Sequence, residues 1–486
     1  MIAPDARRVA HDTSDAPPAR SGPGTSATDR VTPELVAHYD RPGPRYTSYP
    51  TAIEFNASFT AEEYGRRLAE ADASPAPLSV YTHIPFCAER CNFCACHVIA
   101  SPLGTRVTEP YLAHLFREIE LVAAALPHRR TVAQYHWGGG TPTYLSVAEI
   151  HALLDQFQRY FSFAPGAEIA IEVDPRVTTA EQLRALRSRG FNRLSLGVQD
   201  INADTQEAIG RVQPMPVTAA TVEEARRLGF RGINIDLIYG LPHQTLASFR
   251  ETLDSVIALS PDRLAIYSFA FLPWLKGNQK RLGEEVLPVG DAKIALLLLA
   301  RERLLAAGYR AIGMDHFAKP DDELCVALEQ GRLTRNFMGY SVQDAPNMIG
   351  LGVSAIGQVS GAYAQNDKKL SDYYADLDAG RLPIERGYAM SADDRLRADV
   401  IQSLMCRFAV DTGAIEQRYG IAFGRYFGAE LRELSTLAAE GMAEIGPDRI
   451  RVTPLGELFV RNLAMCFDKY LPAAQQSAKP RFSRTV

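Results

Sequence analysis

Long hydrophobic runs are missing from this 486-residue chain. None approaches the ~20 residues that a bilayer-spanning helix needs, so the sequence predicts no membrane span. Positive charge is not in excess either: 52 Lys and Arg stand against 57 Asp and Glu, a formal net charge of −5. That balance argues against a broad nucleic-acid footprint, while leaving room for an anionic small molecule held by a few local cations. Cysteine is sparse and odd in number, at seven. With no apolar signal core at the start, a disulfide framework is disfavoured and a reducing cytoplasm is expected. The opening stretch, rich in Ala, Pro, Ser, Gly and Asp, reads as a disordered arm over residues 1–30. The length and the 46% hydrophobic content are those of a soluble enzyme with two domains.

What is present is concentrated. Cys87, Cys91, Cys94 and Cys96 fall together in VYTHIPFCAERCNFCACHV. The first three follow Cys-x-x-x-Cys-x-x-Cys, which points to a metal or iron–sulfur centre. Three thiolates can hold three corners of a 4Fe–4S cubane and leave one iron open to an outside ligand. Cys96, one residue beyond Cys94, would point away from it if the chain is extended, because side-chain direction alternates along a strand. Cys96 is therefore read as near the centre but off it. Structural zinc is the competing reading, but zinc sites usually pair two separated knuckles and no second knuckle follows. Cys325, Cys406 and Cys466 stand alone and read as small buried hydrophobes.

From about Leu78 short apolar runs alternate with amphipathic helical stretches. The expected strands are Leu78 to Ile84, Gln134 to Gly139, Glu168 to Asp174, Arg193 to Gln199, Ile233 to Gly240 and Arg263 to Ala270, with RAIGMDHF as a possible seventh. Near-continuous apolar strands separated by helices predict a parallel α/β sheet. Periodicity alone leaves a partial barrel and an open doubly wound sheet equally possible. In either, chemistry gathers at the carboxyl ends of the strands. The cysteine loop, GGGTPT, EVDP, GVQD and DLIYGLP all follow that rule. After about Ser371 the texture becomes helical, and MAEIGPDRIRVTPLGELFVRNLAMCF reads as helix, small hairpin, helix, like a winged-helix accessory domain.

Most of the individual residues carry more than one reading. Gly138, Gly139 and Gly140, before Thr141, form either a tight turn or a backbone platform for a polar cofactor; they lack the Lys of a phosphate loop. Glu172, Asp174, Gln199 and Asp236 sit at or near strand ends, as caps or as a binding ring. Arg211 neutralises a carboxylate or lies on the surface. Phe93 covers the cluster, stacks on a flat ring or simply packs in its loop. His316 reads as a satisfied strand-end histidine. GPRYTSYPTA, residues 43–52, forms a lid over an anionic ring system or a surface arm. Arg45, Lys319 and Arg335 are candidate partners for acidic side chains of a substrate.

On the cysteine spacing, the chain resembles radical S-adenosylmethionine (SAM) enzymes. Through GPRYTSYPTA, HIPFC, HWGGGTPTYL, IEVDPR, GVQD, NIDLIYGLP, GMDHFA, GVSAIG and RFSRTV, it is similar to the oxygen-independent coproporphyrinogen III oxidase family. Cys96 and the GPRYTSYPT arm separate it from the related haem-chaperone branch, which leaves a haem-binding or haem-delivery protein as the alternative. Asn92, His97 and Phe271 depart from the usual family residues. The resemblance implies a partial (β/α)6 radical SAM barrel over residues 31–370, with the N-terminal arm before it. A mostly helical, winged-helix-like domain is implied over 371–486. It implies one 4Fe–4S cluster on Cys87, Cys91 and Cys94, with SAM on the open iron. SAM would be cleaved to a 5′-deoxyadenosyl radical that takes a hydrogen from a propionate of coproporphyrinogen III. Two rounds give protoporphyrinogen IX.

By position, Tyr81, Gly139, Glu172, Ala270 and Ile356 match contacts to that SAM. Phe93, Gly140, Thr141, Gln199, Arg211 and Asp236 match a second SAM, and Cys96 is implied as necessary without binding iron. An electron donor, an unknown electron acceptor and a monomeric state complete the expectation. Cys96→Ser is predicted to keep the cluster's visible absorbance and lose turnover; loss of cluster iron in that variant would contradict the ligand assignment.

Overall fold

The computed structural model describes residues 30–104, 106–343, 345–475 and 481–485. The arm expected over 1–30 thus lies outside the described residues except at Arg30. Six strands carry the catalytic half: β1 (Leu78–Ile84), β2 (Thr131–Gly139), β3 (Ser162–Val173), β4 (Arg193–Gln199), β5 (Gly232–Tyr239) and β6 (Arg263–Ser268). Each is parallel to the next. Helices α1 (Thr108–Ala125), α2 (Val147–Gln158), α3 (Ala180–Ser188), α4 (Met215–Arg227), α5 (Leu246–Ala258) and α6 (Asp291–Ala306) follow them in turn. Spatial order equals chain order from β1 to β6. A doubly wound sheet reverses direction at a switch point between its βα units; from β1 to β6 there is no reversal. The layout is that of a singly wound partial barrel, which settles the choice that periodicity left open.

The strands are less uniformly apolar than the sequence reading supposed. Along β4, Leu194, Leu196 and Val198 are buried beneath helices, while Arg193, Ser195, Gly197 and Gln199 turn to the other face. β5 repeats this with Ile233, Ile235 and Leu237 against Asn234 and Asp236. Period-two alternation on a parallel strand means that the inner face is polar. At the strands' amino ends that face is closed by hydrogen bonds crossing four strands. Ser79 donates to Gln134 (2.6 Å), Gln134 to Glu168 (2.9 Å), and Glu168 pairs with Arg193 (2.7 Å). The helix-side core is aromatic: Trp137 meets Phe191 edge-on at 5.1 Å, and Tyr135 stacks on Phe157 at 4.2 Å.

The possible seventh strand is corrected. RAIGMDHF splits into β7 (Arg310–Ile312) and β8 (His316–Ala318), an antiparallel hairpin whose second strand, β8, runs antiparallel beside β6. Gly313 breaks the run: its φ is +56°, and a Cβ there would collide with the Tyr340 hydroxyl. On the opposite flank β9 (Met348–Leu351) runs parallel to β1. β10 (Ile356–Val359), β11 (Ala362–Asn366) and β12 (Ile384–Ala389) continue antiparallel. The main sheet therefore extends to Ala389, past α7 (Leu370–Asp378). Beyond it, α8 (Ala392–Arg407) and α9 (Gly428–Ala439) pack in a second apolar core. The hairpin Ala443–Ile445 with Arg449–Val452 follows α9. No described helix is long and apolar enough to cross a membrane.

One buried carboxyl ties α1 to the antiparallel flank. Glu118 is 1% exposed and accepts from Gly352 N–H (2.7 Å), the Tyr373 hydroxyl (2.6 Å) and the Asn366 amide (2.5 Å). Burial outweighs those donors and pushes its carboxyl up to about 7. A carboxyl raised above its unfolded value stabilises the fold fully below pH ~4.5, and that contribution fades as pH rises through ~7. Relative to Glu118→Gln, the wild type should lose about 3 kcal/mol between those limits. Thermal midpoints of both proteins against pH measure this; parallel curves would contradict it.

Candidate active site

The cysteine loop leaves β1 and is held on three sides. Phe86–Cys87 pairs with Ile99–Ala100 in a two-strand ladder. Gly140 N–H donates to Ile84 O and Thr141 N–H to Phe86 O, both at 2.8 Å. The third hold is Asn278, whose side-chain nitrogen lies 2.9–3.1 Å from the carbonyls of Cys91, Asn92 and Cys94. Beside it Gln279 donates to the carbonyls of Phe93 (2.9 Å) and Ala270 (3.0 Å). Neither Asn278 nor Gln279 was singled out in the sequence. Their short loop, KGNQK, has no motif, and only its long-range contacts give it a role.

The three glycines turn out to make room for the protein itself. A Cβ on Gly138 would stand 2.7–2.9 Å from the Glu172 carboxylate, and on Gly140 2.6–2.7 Å from the backbone of Pro85 and Phe86. On Gly139, where φ is +112°, it would enter the His83 ring at 2.4–2.8 Å. The close approach inferred from the sequence is real, but at these Cβ positions the neighbours are side chains and backbone of this chain.

A polar relay starts there. His83 Nε2–H donates to the His97 carbonyl (3.0 Å), because a carbonyl can only accept. Nδ1 is then left to accept from the Tyr81 hydroxyl (3.0 Å). Burial drives the His83 ring down to about 4, so it is neutral. The Tyr81 ring stacks on His136 at 5.9 Å, and His136 donates to Glu172 (3.2 Å), which also accepts from Gly139 N–H (3.1 Å). Desolvation opposes ionisation of Glu172, but His136 and the Gly139 N–H outweigh it and hold the carboxyl below its usual range.

Beside the loop, Arg211 is buried, contrary to a surface reading. It pairs with Asp174 (2.8 Å), donates to Gly197 O (2.6 Å) and reaches the Cys91 sulfur at 3.8 Å. Arg176 binds the same carboxylate (2.8 Å) and lies 3.9 Å from the same sulfur. Asp174 is thus taken up by two guanidiniums and leaves the proposed ring. Burial works against its charge, yet Arg211 and Arg176 keep the carboxyl below its usual range. Gln199, at φ +69°, ends β4 next to Arg211. Asp236 accepts from Ser195 (2.9 Å) and Asn234 (2.8 Å), while burial pushes it up to about 6.

The remaining predicted residues fall on two flanks. Phe93 is partly buried against the apolar cluster that contains Ile209, Ile238, Leu241 and Phe269. Ala270 follows β6. Ile356 opens β10 beside Gly350, the register partner of Tyr81. The alternation expected between Cys94 and Cys96 is absent: a turn at Asn92–Phe93 and a bend at Cys96 replace extended chain. A hydrogen bond between the two thiols pulls Cys94 down and pushes Cys96 up.

Whether these residues suit an anionic cluster can be judged from their surroundings. Arg176 and Arg211 face Cys91, and the charges of Arg90 and Lys276 act on Cys94. Thr141 Oγ1 is 3.5 Å from the Cys87 sulfur. Cationic neighbours favour thiolate. Arg211 Nε is buried with no partner among the described residues, as a polar ligand beside it would explain. Among the described residues no three ligating side chains converge on one point, as a single ion requires. The donors fit a cluster with SAM beside it.

Of the three suggested cations, Lys319 is not brought to this end. Its ammonium bonds Ser260 O (2.9 Å) and Asp262 (3.4 Å), at the start of β6. Arg335 is buried, 3.7 Å from Asp315 and 4.9 Å from the Tyr340 ring. Arg45 contacts Asp315 (3.5 Å) and Ser268 O (2.8 Å). His316 is paired with the same Asp315 (2.6 Å). Within the arm, Tyr46 donates to Asp468 (3.0 Å) and Tyr49 Oη accepts from Lys469 N–H (3.1 Å). The arm is therefore keyed into the helical half, with its other side lining a cavity.

Residues 81–256 match the radical SAM superfamily, and 390–459 match the HemN C-terminal domain. An oxygen-independent coproporphyrinogen III oxidase from Pseudomonas aeruginosa is 44% identical over 461 residues, covering 94% of this chain and 99% of that protein. One from Synechocystis sp. is 41% identical over 466 residues, 95% of this chain and 99% of the relative. The solved structure of coproporphyrinogen III oxidase (HemN) from Escherichia coli, described as a radical SAM enzyme, is similar with a TM-score of 0.84. It shows 44% identity over 88% of this chain and 97% of that one.

Asn278→Ala should loosen the cysteine loop by about 1–2 kcal/mol without unfolding the protein. Chelator-driven bleaching of the reconstituted cluster should then accelerate roughly tenfold at unchanged circular dichroism. An unchanged bleaching rate would remove Asn278 from the site.

Proposed function

The chain belongs to the oxygen-independent coproporphyrinogen III oxidase family of radical SAM enzymes, and on that premise we propose that it oxidatively decarboxylates coproporphyrinogen III without oxygen. Two propionates become vinyl groups and the product is protoporphyrinogen IX. The observation that carries this reading is the near-full-length similarity to such oxidases, 41–44% identity spanning the arm, the cysteine loop and the helical half.

Cys87, Cys91 and Cys94 would hold a 4Fe–4S cluster, and Cys96 serves turnover without binding iron. When bound, the cluster supplies the electron that splits SAM into methionine and the 5′-deoxyadenosyl group that removes a hydrogen atom from the β-carbon of a propionate. Carbon dioxide and one further electron leave in each round, so an external acceptor takes up one electron per vinyl group and an external donor re-reduces the cluster.

The chain's own residues bind, orient and exclude water. Tyr81, Gly139, Glu172, Ala270 and Ile356 would contact the reacting SAM, with Glu172 ionised and suited to an ammonium group. Neutral His83 fixes the Tyr81 hydroxyl and adds no competing charge beside it. Phe93, Gly140, Thr141, Gln199, Arg211 and Asp236 would line a second SAM, for which the unpartnered Arg211 Nε is the supporting feature. The protein is proposed to work as a monomer in the cytoplasm.

Anaerobic incubation of cluster-loaded protein with coproporphyrinogen III, SAM and a reductant tests the reading. It predicts carbon dioxide, a tripropionate intermediate and protoporphyrinogen IX, with one SAM consumed per vinyl group. Haem binding without any decarboxylation by loaded protein would instead support a haem-delivery role.

A further inference from the structure

Between the arm, the edge strand β12 and the segment at Arg481–Phe482 lies a cavity of about 520 Å³, within the range of small-molecule sites. Its walls come from four distant parts of the chain: the arm from Pro44 to Ile53, Leu275, Phe337 with Arg386, and Arg481 with Phe482. Leu275 lies three residues before Asn278, whose amide bonds the carbonyls of Cys91, Asn92 and Cys94, so this wall is tied to the cysteine loop.

The charges on these walls have one sign. Arg45, Arg386 and Arg481 line the cavity and no carboxylate does. Arg45 is offset by Asp315 at 3.5 Å. Arg386 has no carboxylate within ion-pair distance among the described residues. Its Nε donates to Gln365 (2.8 Å), and its guanidinium lies 5.9 Å from the Phe55 ring centre. Arg481 is exposed and forms no ion pair among the described residues, although its charge is felt by Glu54. Two guanidiniums that line one cavity with no ion pair among the described residues mark a place for an external anion.

The tail bearing Arg481 is held in register with the arm. Pro42 bridges Arg484, Gly43 N–H donates to Ser483 O (3.0 Å), and Thr485 N–H donates to Arg41 O (2.9 Å). Buried Arg461 clamps both strands, donating to the carbonyls of Gly43, Pro44 (3.0 Å) and Arg484 (2.9 Å). A guanidinium taken out of water with only carbonyl partners is a costly fastening, and it fixes where Arg481 can stand.

We propose that Arg386 and Arg481 each bind a non-reacting carboxylate of a tetracarboxylate tetrapyrrole, with Phe337 and Phe482 against its ring system. A further carboxylate is thereby left to face the cysteine loop. The site deepens the function proposed above and rests on it for the identity of the substrate.

The test uses full-length, cluster-loaded protein with Arg386→Gln, Arg481→Gln, the double variant and the corresponding Lys variants. Each Gln change should raise KM for coproporphyrinogen III about tenfold, and the double variant more. Lys should restore most of the affinity, and iron content should match the wild type. Equilibrium binding of coproporphyrin III, followed by fluorescence quenching, separates this inference from the proposed reaction. If the wild type binds the tetracarboxylate and the double variant does so at least tenfold less tightly, the arginine site stands even should decarboxylation fail. A double variant with wild-type affinity would overturn it.

Discussion

No side chain fits between the end of β2 and the beginning of the cysteine loop, and the site depends on that contact. Gly138, Gly139 and Gly140 bring their backbone against Glu172, His83 and the Pro85–Phe86 peptide. The same close approach lets Gly140 and Thr141 hydrogen-bond across to Ile84 and Phe86. The loop bearing three thiolates and the strand end bearing a carboxylate are thus one rigid piece. The cysteine-bearing face and the polar face could not otherwise meet without a layer of side chains between them.

Charge is distributed around that piece with the same economy. Glu168–Arg193 and Arg263–Asp322 close the lower end of the inner face. Asp174 is saturated by Arg176 and Arg211, which turns those guanidiniums toward Cys91. Buried pairs of this kind add little net stability, because desolvation offsets their attraction. Their effect here is to fix direction, turning Arg176 and Arg211 toward the Cys91 sulfur.

The order of strands and the gathering of motifs at their carboxyl ends were legible from apolar runs and spacing, because both are local properties. The choice between barrel and doubly wound sheet was not, since it depends on which strands pair. The split of RAIGMDHF needed Tyr340, 27 positions beyond Gly313, to occupy the space of a Cβ. Lys319 was a candidate only because acidic substrate groups need cationic partners, and the antiparallel course of β8 carries it to the start of β6. Asn278 and Gln279 carry no local signal, since the cysteine-loop carbonyls they bond lie far away in sequence. At Cys96 the expected alternation was conditional on extended chain, and a bend at that residue removes the condition.

The central claim is that three cysteines on this loop leave one corner of a cluster free, with Cys96 outside it. Mössbauer spectroscopy of the anaerobically reconstituted, iron-57-labelled protein with and without SAM tests this most directly. The account predicts one iron site in four that is distinct and changes on SAM addition, in both wild type and Cys96→Ser. Four equivalent sites insensitive to SAM, or loss of the distinct site in Cys96→Ser, would contradict it.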